Sequence, residues 1–176
     1  MVYNNVLPSG RTEWAVLQWQ EAQSAIAYLL SSFEFMKFEE LRLSKSNRAD
    51  IVIIYKSEAE VIFGVIEVKT YAKISNSIHI NAIEQVCRYI GKLFESVNQN
   101  NRWGNQDKRY FGAVVYTRDY PIRNIIREEQ FSNHIPIELL KSKKLEIFVS
   151  TPEKLIDNLQ KRNLCGYSQN SLKDYF

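Results

Sequence analysis

A chain of 176 residues, 45% hydrophobic and 24% charged, is long enough to bury a core of its own without disulfide or metal staples, and its composition is that of a globular domain. The net charge of +3 and pI of about 8.8 leave any surface for a polyanion to local clusters of cations, not to global charge. Two cysteines, Cys87 and Cys165, make neither a disulfide framework nor a zinc spacing. With no basic leader, and no apolar run near the roughly 18 residues that span a bilayer, the expectation is a single reduced, cytoplasmic domain without membrane contact.

Thr12 to Ser31 reads as one amphipathic helix, with Trp14, Leu17, Ala22, Ala25, Ile26 and Leu29 at helical spacing and Gly10 just before it. At 100° per residue, Glu21 falls inside the arc of Trp14, Leu17 and Ala25 while Glu13 falls away, so Glu21 is the carboxylate aimed inward. Phe33 to Leu43, apolar and aromatic with interspersed charge, is expected to form the first strand. Lys45 to Arg48 follow as a polar loop.

Arg48 to Thr70 carries the strongest pattern in the chain. Two apolar, β-branched runs, Ile51 to Tyr55 and Val61 to Val68, flank the polar segment Lys56 to Glu60, which predicts a β-hairpin. Alternation along the second run puts Val61, Phe63 and Val65 on one face and Ile62, Ile66 and Val68 on the other. Both faces are apolar, as in a central strand covered by helices on each side. The first face nevertheless continues into Glu67 and Lys69, and buried charges are costly unless they are paired or hold a metal. If Ser57 pairs with Glu60 across the turn, Asp50 comes opposite Glu67. Like charges across a ladder repel. A hard divalent cation turns that repulsion into binding, and few protein carboxylates plus several waters suit Mg²⁺. The alternative is purely structural: a Glu67–Lys69 ion pair at the strand end, with Asp50 as a cap.

Tyr71 to Ser77 forms a polar crossover. Ile78, Ala82, Val86, Tyr89, Ile90, Leu93 and Val97 then define a second amphipathic helix, on which Gln85 and Tyr89 are neighbours four residues apart. The loop Asn98 to Arg109 mixes Arg102, Lys108 and Arg109 with Trp103, a combination able to bind phosphates and stack a base. Tyr110 to Tyr116 is a further strand, and Asp119 to His134 is helical in part, with Pro121 near its start. Ile137 to Leu140 adds a short turn and Leu145 to Val149 a final strand. Thr151-Pro152-Glu153 starts a last helix that runs to about Lys161, and the tail from Asn163 is peripheral. His79 and His134 stand in no zinc spacing, and no nucleophile elbow, Walker or Rossmann glycine motif occurs.

Asp50 with Glu67-Val68-Lys69 resembles the active-site signature of the PD-(D/E)XK nuclease superfamily, with Ala49 in place of its nominal proline. Gln85 and Tyr89, sixteen residues beyond Lys69 at the first of them, and Thr70 after the lysine are similar to features of the RecB-type branch. The resemblance covers about Thr12 to Tyr116. It implies an α/β restriction-endonuclease-like core, a mixed central sheet flanked by helices in the order αβββαβ with C-terminal additions. It also implies a nuclease that hydrolyses DNA phosphodiester bonds with Mg²⁺, or Mn²⁺ as substitute. Asp50, Glu67, the Val68 carbonyl and Glu21 would hold the metal, Lys69 would serve the transition state or the attacking water, and Gln85 and Tyr89 would support the site. DNA is the implied partner, and a homodimer agrees with the two-fold symmetry of a duplex. The alternative function is a catalytically inactive nuclease-like domain that binds DNA or another protein.

Overall fold

The computed structural model describes residues 7–33, 35–119 and 129–165. Five strands form one mixed sheet in the order β1 (Phe35–Arg42), β2 (Arg48–Lys56), β3 (Glu60–Lys69), β4 (Asp107–Tyr116) and β5 (Leu145–Ser150). The β1–β2 and β2–β3 pairs are antiparallel, and β3–β4 and β4–β5 are parallel. The α/β class and the mixed sheet expected from the sequence are therefore present.

The hairpin is closed as its turn residues dictate. The Ser57 amide donates to the Glu60 carbonyl at 2.9 Å, which sets Ile51 opposite Ile66. Strand β3 is buried from Val61 through Val68, because helices cover both its faces. On one face Val61, Phe63 and Val65 pack with Ala82, Ile83, Val86 and Ile90 of α3 (Asn76–Gln99). On the other, Ile62, Ile66 and Val68 meet Ala22, Ile26 and Leu30 of α2 (Trp19–Leu30) and Leu155 and Leu159 of α6 (Leu155–Lys161). Burying each such aliphatic side chain contributes about 1.5–3 kcal/mol. Helix α3 is the crossover between parallel β3 and β4, started by Ser75, whose hydroxyl accepts the Ile78 amide.

The single helix expected over Thr12 to Ser31 is instead two, α1 (Arg11–Ala15) and α2. The break lies at Val16 to Gln18. Gln18 is extended (φ −71°, ψ 162°), its amide donates to the Glu21 carboxylate at 3.0 Å, and the Leu17 carbonyl accepts the Arg118 guanidinium at 3.4 Å. Each takes a backbone group out of a continuous helical ladder. The phase that aimed Glu21 inward from Trp14 is lost at this break.

Strand β1 lies at the sheet edge, which explains its noisy pattern: Met36 and Phe38 are exposed. The loop expected at Asn98 to Arg109 is shorter, since α3 reaches Gln99 and β4 starts at Asp107. Trp103 packs edge-on against Phe63, with centroids 5.4 Å apart, and Arg109 donates to the Arg162 and Asn163 carbonyls. Of the helix expected over Asp119 to His134, residues 120–128 lie outside the described residues, and α4 (Glu129–Ser132) is helical. The short turn expected at Ile137 to Leu140 is a helix, α5 (Ile137–Lys141); β5 follows as expected, and the last helix opens with a 3-10 turn at Pro152–Lys154 before α6. The tail is not peripheral at its start: Leu164 is fully buried in the α2–α6 core. Residues 166–176 lie outside the described residues.

Gly91, within α3, is where the segment carrying His134 and Ile135 comes closest; a Cβ there would collide with the His134 carbonyl. Glycine inside a helix costs about 1 kcal/mol relative to alanine, so in an isolated helix Gly91→Ala would stabilise. Here overpacking against backbone outweighs that gain, and a net loss of about 1–3 kcal/mol is expected in urea unfolding. A stabilised Gly91→Ala protein would mean that this segment does not dock on α3.

Candidate functional site

Ile51–Ile66 is the last paired position of the β2–β3 ladder. Beyond it the hairpin opens, and Asp50 and Glu67 come next on the two strands. Their carboxylates take over the ladder: the Asp50 amide donates to Glu67 Oε1 at 3.0 Å, and the Val68 amide donates to Asp50 Oδ2 at 2.9 Å. This exchange holds two carboxyl groups together out of solvent, with Asp50 8% and Glu67 1% exposed. Burial, and then the neighbouring Asp50 charge, push Glu67 up to about 8. Asp50 is also raised, by burial, against the opposing pull of the Val68 amide and Lys69. A buried pair of like charges keeps a proton until a cation replaces it.

Lys69 lies on the same face one pleat further. Its Nζ is 3.5 Å from Glu67 Oε2 and donates to Gln85 Oε1 at 2.7 Å, while Gln85 Nε2 donates to the Tyr89 hydroxyl at 2.8 Å. Asp50, Glu67, Lys69, Gln85 and Tyr89 are thus gathered in one connected group, because α3 lies over the face of β3 that carries Glu67 and Lys69. Val68 enters through its backbone, its side chain being buried in the opposite core.

Glu21 is not drawn into that group in this arrangement. It sits in the first turn of α2 with its carboxylate on the Gln18 amide. The α2 side chain that bears on Asp50 is that of Trp19, which pulls its pKa slightly down. Among the described residues no cluster of three or more His, Cys, Asp or Glu side chains is placed to hold a metal. The donor set is two hard oxygen ligands, enclosed and mutually repelling, which fits a water-rich Mg²⁺ with few protein ligands. Trp103, Lys108 and Arg109 lie toward the other end of the sheet: β3 takes nine steps from Glu60, beside Asp107, to Lys69, about 30 Å at roughly 3.3 Å per residue.

Sequence reasoning missed two neighbours of Lys69 and a histidine bonded to one of them. Tyr116 is its partner in the β3–β4 ladder, the Thr117 amide donates to the Lys69 carbonyl at 3.1 Å, and buried His79 places Nδ1 2.9 Å from the Tyr116 hydroxyl. Burial lowers the His79 pKa. Only the parallel register brings Tyr116 and Thr117 to Lys69, and no local motif marks it.

No family model matches the chain, and no curated protein matches it. Among solved structures it is similar to the restriction endonuclease FokI, with a TM-score of 0.52 and 11% sequence identity over 93% of this chain and 29% of that one. The chain therefore spans under a third of that protein's length, and at this identity the likeness concerns the fold. The five-stranded mixed sheet, its flanking helices and this likeness together give the chain a restriction-endonuclease-like α/β fold.

Proposed function

We propose that this domain is a metal-dependent nuclease that hydrolyses DNA phosphodiester bonds. One observation carries the reading: the enclosed Asp50–Glu67 carboxylate pair with the Lys69 ammonium 3.5 Å from Glu67, at the open end of the central hairpin. A structural ion pair would need neither the second carboxylate nor its burial against the first. Asp50 and Glu67, with the Val68 carbonyl, would hold Mg²⁺ or Mn²⁺. When bound, such a cation lowers the pKa of a coordinated water and offsets charge on the phosphate.

Lys69 does the rest of the electrostatic work. Its ammonium is held between Glu67 and Gln85, so a third N–H remains for a phosphoryl oxygen or the attacking water, where charge grows in the transition state. Gln85, itself held by Tyr89, fixes the lysine head. Glu21, the further metal ligand that the resemblance implies, holds the Gln18 amide with one carboxylate oxygen. A two-fold homodimer would present two such edges to the two strands of a duplex.

The rival is a domain of the same fold that binds DNA or protein without cutting. It draws on the absence of a third carboxylate near the pair among the described residues. Supercoiled plasmid and branched DNA, incubated with Mg²⁺, Mn²⁺ or EDTA, decide between them. Cleavage by wild type with metal, lost in a folded Lys69→Ala protein, is the expected result. No cleavage of any nucleic acid, together with no heat of divalent-cation binding to wild type, would end the enzymatic reading.

A further inference from the structure

A cavity of about 360 Å³ lies at the C-terminal ends of β4 and β5. Tyr116 and Thr117 line it, and these residues adjoin Lys69 through the β3–β4 ladder and the Thr117–Lys69 hydrogen bond. It therefore begins one strand away from the proposed catalytic lysine, on the same edge of the sheet. None of Asp50, Glu67 or Lys69 lines it.

Three cations, Arg11, Arg118 and Lys154, line the cavity against two carboxylates, Asp119 and Glu153. Asp119 is partly committed, since its Oδ2 accepts the Ile74 amide at 2.7 Å. The arginines are weakly committed. Arg118 reaches the Leu17 carbonyl, and Arg11 the Arg118 carbonyl, each only at 3.4 Å. The Nε of Arg118 is buried and has no hydrogen-bond partner among the described residues. Forked guanidinium donors match phosphate geometry. The volume lies at the lower end of the roughly 300–1,000 Å³ typical of small-ligand sites, too small for a duplex and sufficient for one nucleotide.

We propose that this cavity receives one nucleotide unit of the DNA strand being cut, its phosphate held by Arg11, Arg118 and Lys154 beside the Lys69 edge. The assignment to a substrate strand rests on the nuclease reading. The phosphate chemistry does not. Arg118 then becomes a substrate-binding residue outside the carboxylate–lysine group, and the cavity sets how the strand lies relative to Lys69.

The test is calorimetry in EDTA, which reads no cleavage and so stands or falls separately from nuclease activity. Thymidine 5′-monophosphate is expected to bind wild type and the Glu67→Gln protein alike, and thymidine about tenfold or more weakly, as for the loss of charge-assisted hydrogen bonds. Arg118→Gln is expected to weaken the monophosphate by a similar factor. Because Arg118 is half-buried, the double variant Arg11→Gln/Lys154→Gln, at two exposed positions, carries the same expectation without risk to the fold. A short single-stranded oligonucleotide is expected to displace the monophosphate. Equal binding of thymidine, equal binding of orthophosphate, or monophosphate binding untouched by these variants would overturn the nucleotide site. Monophosphate that no oligonucleotide displaces would assign the cavity to a free nucleotide and overturn the strand proposal.

Discussion

Glu67→Gln is expected to abolish metal-dependent cleavage and, without metal, to give a protein that outlasts wild type at alkaline pH. The activity loss follows from removing one of two oxygen ligands and the acceptor beside Lys69. It is expected to reach at least the ~10²–10³-fold seen when one transition-state contact is removed. The stability effect follows from Glu67 being raised from 4.5 to about 8. A carboxyl raised on folding adds stability that is fully present below its unfolded pKa and is lost as pH rises through the folded value. Wild type in EDTA should therefore weaken between about pH 4.5 and 8, as the pair is forced to give up its proton inside the protein. Glutamine keeps a neutral group at the same position and has no proton to lose. Melting curves of both proteins in EDTA across pH 5 to 9 measure this, and the gap in Tm is expected to widen with pH in favour of Glu67→Gln. A gap independent of pH would mean that Glu67 is already ionised in the folded protein.

The second large effect couples metal to protons. At pH 7 the Asp50–Glu67 pair holds a proton, because burial raises both carboxyls and the Asp50 charge raises Glu67 further. Binding of Mg²⁺ or Mn²⁺ requires that proton to leave. Titrations in buffers of different ionisation enthalpy are expected to show release approaching one proton per cation, with apparent affinity rising about tenfold per pH unit below about 8 and levelling above it. Cation binding with no proton released would sink this account of the site. In Glu67→Gln the release is expected to vanish together with most of the affinity, which separates the pair from cations held loosely elsewhere on the surface.

The contrast between these groups and the rest of the edge shows how far the chain can be read by eye. The hairpin was legible because its register is set locally: a short polar turn joins two alternating apolar runs, and the Ser57–Glu60 pairing carries Asp50 to Glu67 with no help from the remainder of the fold. Gln85 and Tyr89 were legible as neighbours for the same reason, being one helical turn apart. That Gln85 would meet Lys69 needed α3 to lie over β3, which the apolar faces of both foretold.

The tertiary structure decided everything that depends on one element's phase or height relative to a distant one. The helix break at Val16 to Gln18 is bound up with Arg118, 101 positions away from Leu17, and it gives Trp19 rather than Glu21 to Asp50. Tyr116 stands beside Lys69 only through the parallel register, and the cavity with Arg11, Arg118 and Lys154 exists only where three separate segments converge. By itself the sequence determined the carboxylate pair, its lysine and the α/β alternation, because side-chain period and turn length act over a few residues. The surroundings of that pair were set by packing between segments far apart in the chain, which no local period encodes.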